Sequence, residues 1–113
     1  MAPLSEQTLR AILNLQGHLL SIVNQAGAVE DAIFRLYGES AAPAAALEQM
    51  KNVAQRSASA YTKLGNLLLR ISEAQPSAST AILKLLTEAT EQAKVISASA
   101  AQSITETRRD WNL

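Results

Sequence analysis

The sequence predicts an all-α protein: an antiparallel, up-down-up bundle of three long helices forming one domain over residues 1–113. Three observations carry this reading. Apolar residues recur at alternating spacings of three and four through most of the chain. Two punctuated stretches, Gly38-Glu39-Ser40-Ala41-Ala42-Pro43 and Ala74-Gln75-Pro76-Ser77, divide it into segments of similar length. Ala (21 residues) and Leu (16), both strong helix formers, supply about a third of the 113 residues.

The first helix is expected at about 5–37. Ile12, Leu15, Leu19, Ile22, Ala26, Val29, Ile33 and Leu36 form an unbroken heptad seam. A second apolar row, Leu9, Leu13, Leu20, Val23, Phe34 and Tyr37, lies beside it and suits a helix with two neighbours. Ser5 is placed to cap this helix, with Leu4 and Leu9 at the two hydrophobic-staple positions. Gly17 and Gly27 weaken the helix, each by about 1 kcal/mol relative to Ala. A break near Gly27 would give four helices. The stripe continues in phase through Gly27, which favours one helix.

The second helix, about 43–73, carries Leu47, Met50, Ala54, Ser57, Tyr61, Leu64, Leu68 and Ile71 on the same alternation, with Val53, Ala60 and Leu67 alongside. Pro43 fits its first turn, where a missing N–H costs nothing. The third helix, about 77–110, reads Ile82, Leu86, Ala89, Ala93, Ile96, Ala100, Ile104 and Trp111. Pro76 can open it and Ser77 or Ser79 can cap it. Its middle, Ile96-Ser97-Ala98-Ser99-Ala100-Ala101, is built of small residues. Helices of about 31 residues are roughly 47 Å long, and short links between equal helices favour antiparallel neighbours.

Composition excludes several classes of function. The chain has no Cys, so neither a disulfide framework nor a cysteine-ligated metal site can form. Ten basic residues balance ten acidic ones, which argues against an electrostatic nucleic-acid binder. The balance holds segment by segment: 2 against 3 for residues 1–38, 4 against 3 for 39–75, and 4 against 4 for 76–113. No stretch approaches the ~20 apolar residues of a membrane span. Met1-Ala2-Pro3-Leu4 leads into a polar helix start, not a basic and apolar signal peptide. The expected location is cytoplasmic, with a nuclear location or signal-less export as alternatives.

No catalytic, cofactor or metal site is expected. His18 is the single histidine and reads as a boundary residue beside the first seam. Glu30-Asp31 and the pair Glu88 and Glu91 read as solvent-facing charge, Glu91 with Lys94 and Glu88 with Lys84. The 11 serines include no G-x-S-x-G elbow, and the four glycines form no phosphate-binding loop. Arg108 and Arg109 suit the negative end of the third helix. Phe34, Tyr37 and Trp111 fall at one pole of an up-down-up bundle and are expected to share an aromatic cap.

What remains is a non-enzymatic protein–protein interaction module, a small helical subunit or adaptor of a larger assembly, docking on another protein or on itself through helical faces. The Ala/Ser-rich third helix is the expected docking face, with Val95, Ala98, Gln102, Thr105, Arg108 and Trp111 as candidate partner-binding residues. Alternatives are a homo-oligomeric helical scaffold and a bundle holding a small apolar ligand in space left by Ala89, Ala93 and Ala100.

Overall fold

Ser5 begins the first helix as a Ser cap should. Its backbone is extended (φ −65°, ψ 149°) and its Oγ accepts a hydrogen bond from the Thr8 N–H at 3.1 Å. In the computed structural model, which describes residues 4–38, 40–74 and 79–113, helix α1 runs unbroken over Glu6–Tyr37. It does not divide at Gly27. Ala26 and Val29 flank that glycine and are both buried, so core burial outweighs the roughly 1 kcal/mol propensity loss there. Gly38 stops the helix at φ 70°, ψ −162°, a backbone region essentially reserved for glycine, while its N–H still donates to the Phe34 carbonyl.

Helix α2 spans Ala41–Glu73, beginning two residues before the expected Pro43. Ser40 takes the extended cap conformation without a side-chain hydrogen bond. Pro43 is buried in the first turn, where no intrahelical partner exists for an N–H. Helix α3 spans Thr80–Asp110, with the Ser79 Oγ accepting from the Ile82 N–H at 3.2 Å. Pro76 and Ser77, the other expected start signals, lie outside the described residues. The far end of α3 closes in a Schellman turn. Asn112 adopts the left-handed conformation (φ 55°) and its N–H donates to the Arg109 carbonyl, while the Leu113 N–H reaches back to Arg108.

All three helices pack on one another as an antiparallel up-down-up bundle, α1 and α2 most extensively. The core divides into two apolar clusters. One joins Ile12 and Leu19 of α1 to Leu64, Leu67, Leu68 and Ile71 of α2 and Ile82 and Leu86 of α3. The other joins Ile22, Val29 and Ile33 to Met50, Val53 and Ile104. Between them lies a waist of small side chains, where Ser57 of α2 and Ser97 of α3 are both buried. Ser57 is fully buried and its Oγ has no hydrogen-bond partner. Leaving such a group unpaired costs about 1–3 kcal/mol. In return, small residues let the helices approach closely at mid-length.

One polar contact crosses the α1–α2 seam. Gln16 is buried, and its Nε2 donates to the Tyr61 carbonyl at 3.1 Å. A Cβ on Gly65 would stand 3.2 Å from that nitrogen. Glycine at this position therefore leaves room for the amide against the α2 backbone.

The result is a rod of 55 × 19 × 17 Å with a radius of gyration of 17.2 Å. A compact chain of this length averages about 13 Å. The accessible surface is 7036 Å², against about 6,000 Å² for a typical monomer of this mass.

Two expectations follow for chemical denaturation. Ser57→Ala should raise unfolding stability by about 1 kcal/mol, because the unpaired hydroxyl is removed without leaving a large void, whereas Ser57→Leu should lower it by about 1–3 kcal/mol by overpacking the waist. Gly38→Ala should cost about 1–3 kcal/mol, since its backbone must hold a conformation that L-residues avoid. An unchanged midpoint for Gly38→Ala would contradict the strained turn.

Candidate functional site

The helix faces left outside the core on α1 and α3 differ in character. The α3 row is exposed at Val95, Ala98, Gln102, Thr105 and Arg108. Of these only Val95 is a large apolar side chain, 69 % exposed. Gln102 donates to Glu106 at 3.0 Å, and the Thr105 hydroxyl bonds back to the Ala101 carbonyl, so both polar groups are engaged within their own helix. Trp111 is half-buried and packs against the second core cluster.

Trp111 also forms part of a cap at one pole. Its ring lies edge-on to Tyr37, with centroids 5.0 Å apart and an interplanar angle of 65°. The Tyr37 hydroxyl donates to the Trp111 carbonyl at 3.1 Å. The Schellman turn at Asn112 folds the end of α3 into this position. Phe34 does not join the cap. It is largely exposed and borders a groove shared with Asp31, Leu47 and Lys51. At 100° per residue Phe34 is rotated about 60° from Tyr37, enough to face α2 rather than the end of α3.

The larger departure from expectation is on α1. Four of the six residues in the second apolar row stay uncovered, although α1 does pack on both α2 and α3. Leu13 and Leu20 are each 50 % exposed, Phe34 47 % and Leu9 36 %. The helical period explains this. These four side chains fall within about 60° of one another, centred about 100° from the buried seam, and α2 and α3 both pack closer to the seam. Leu36, expected in the seam, is 66 % exposed. A strict seven-residue repeat drifts about 20° per heptad on a straight α-helix, so Leu36 is about 60° out of line with Leu15.

The α1 stripe continues onto α2. A groove between the two helices is lined by Val23, Gly27, Met50, Lys51, Ala54 and Ala58, with a volume of about 360 Å³. Leu69, 60 % exposed, extends the apolar surface toward the other pole. Charges sit at the two ends of α1, where Glu6 pairs with Arg10 at 3.3 Å and Asp31 with Arg35 at 3.0 Å, both exposed. On α3, Glu91 pairs with Lys94 at 3.3 Å, while Glu88 and Lys84 form no ion pair.

Other grooves are open channels between helices. Leu4, Ile12, Leu15, Leu83 and Leu86 border one of about 440 Å³ between α1 and α3. Ala89 and Ala93 border one of about 390 Å³ between α2 and α3. His18 is exposed. Among the described residues no three His, Asp or Glu side chains converge as a metal site would need, and no helix is long and apolar enough to cross a membrane. Comparison with family models, with curated proteins and with solved structures finds no match for this chain.

The aromatic cap gives a direct optical readout. Trp111 emission should shift to the red on urea unfolding, and Tyr37→Phe should leave that shift in place while lowering stability by about 0.5–1.5 kcal/mol through loss of one hydrogen bond. Emission that does not change on unfolding would place Trp111 in water in the folded protein.

Proposed function

We propose that this protein is a non-enzymatic interaction module, a small helical subunit or adaptor that works by docking helix faces on a protein partner. One observation carries the reading: the apolar stripe Leu9, Leu13, Leu20 and Phe34 on α1, left outside the core. Leu9, Leu13 and Leu20 cover about 17 Å of α1 at 1.5 Å per residue, and Phe34 lies about 21 Å further along, beyond Gly27 and Asp31 on the same face. Monomeric proteins rarely expose apolar patches of more than a few hundred Å² without a binding role. The neighbouring apolar and small residues of α2 widen it into a two-helix surface, the kind of face that completes a bundle or receives an amphipathic helix.

The α3 row from Val95 to Arg108 is a second, more polar surface with one large apolar side chain. It suits the rim of an interface better than its centre. Trp111, often an interface anchor, is here engaged with Tyr37 of its own chain.

The test is recovery of the tagged chain from its native source, read by mass. A stoichiometric second chain, identical or different, is the expected result. The double variant Leu13→Glu and Leu20→Glu should lose it while changing unfolding stability by no more than about 0.5 kcal/mol per site, as usual for surface positions. If the second chain is instead lost only with Val95→Glu, the docking face is α3. Recovery of the tagged chain with no stoichiometric second chain would overturn the interaction reading.

A further inference from the structure

We infer that the partner of the α1 face is a second copy of this chain, lying antiparallel across it so that residues whose numbers sum to about 41 face each other. This rests on the interaction reading above and names its occupant. Charge order is the first argument. Along α1 the exposed ion pairs run acidic then basic twice, Glu6 with Arg10 and Asp31 with Arg35. A parallel pairing would set Glu6 on Glu6 and Arg10 on Arg10. An antiparallel pairing sets Glu6 opposite Arg35 of the second copy and Arg10 opposite Asp31, and one register satisfies both. Complementary ends of this kind fix register and orientation more than they add affinity.

Shape is the second argument. In that register Leu20 of each copy lies beside Leu20 of the other at the two-fold axis, and Leu13 is level with the small Ala28 at the edge of the contact. Gly17 and Gly27 fit the same arrangement. A Cβ at either would meet nothing within 4 Å in its own chain, yet glycine weakens a helix relative to alanine. Without Cβ atoms, both positions permit close approach of a second helix.

Sedimentation equilibrium of the full chain over a wide concentration range tests the inference. A dimer of 12.1 kDa chains is expected. Arg10→Glu and Asp31→Arg should each weaken dimerisation, by about tenfold for a charge pair set like against like. Combined in one chain they should restore it to within about threefold of the original. That rescue separates pairing between chains from pairing within α1, because the double variant leaves both intrachain ion pairs broken. Helicity by circular dichroism checks that each variant is folded. As a second readout, Leu20→Cys at the axis should oxidise to a linked dimer, whereas His18→Cys, about 160° round α1 from it, should not.

A monomer at every concentration overturns the second copy as partner. If that monomer still brings a different protein from its native source in stoichiometric amount, the interaction reading stands without this inference. If it brings none, both fall. A dimer whose association the charge variants leave unchanged overturns the antiparallel α1 geometry.

Discussion

Gln16 reaches from α1 to the backbone of α2 and donates to the Tyr61 carbonyl, at a place where Gly65 presents no Cβ. Everything else in the bundle depends on the register this contact sets. With Gln16 level with Tyr61, the residues before it on α1 meet the end of α2, and those after it meet the beginning. Ile12 and Leu19 then join Leu64, Leu68 and Ile71, while Ile22, Val29 and Ile33 join Met50 and Val53. A slide by one turn would set a side chain in place of Gly65 against the buried amide, where there is no room for one. Apolar seams alone tolerate several registers, because Leu on Leu is much the same one turn along. A single polar residue in a seam is the best-attested device for choosing among them.

That register also decides which surfaces are left over. Two long helices meeting along one seam give a rod, and a rod buries less of its surface than a sphere of the same mass. The third helix covers the open side of the seam and not the flank of α1 that carries Leu13, Leu20 and Phe34. The waist at Ser57 and Ser97 has a related effect. Small side chains there leave room for close packing, where larger ones would push the helices apart. The uncovered flank of α1 is a surface on which another helix can pack.

Much of this was legible in the residues. Ser5 and Ser79 cap because a short hydroxyl side chain can reach the free N–H groups of a first turn, an interaction confined to four consecutive residues. Gly38 stops α1 for a reason equally local. The seam positions Ile12, Leu19, Ile22, Ala26, Val29 and Ile33 are buried as their spacing requires. Leu36 leaves the seam because heptad counting treats the period as 3.5 whereas an α-helix turns once in 3.6 residues, and Leu9, Leu13, Leu20 and Phe34 stay uncovered because they lie about 100° round α1 from the seam. Phe34 was grouped with Tyr37 and Trp111 by pole, but position along a rod does not give direction around it. The Ala/Ser-rich composition of α3 marks a low-profile face with a mixed row at its edge, but it does not tell whether polar groups in that row are engaged, as Gln102 and Thr105 are.

By itself, the sequence determined the number of helices, nearly all of their ends, their antiparallel order and the residues at the centre of the core, because capping, turn formation and heptad burial act over a few residues or along one helix. The tertiary structure alone decided which second-row residues are covered, that Gln16 and Gly65 meet, that Trp111 turns inward onto Tyr37, and that the apolar flank of α1 faces solvent. Those outcomes depend on how three cylinders are rotated against each other, a property that no single helix encodes.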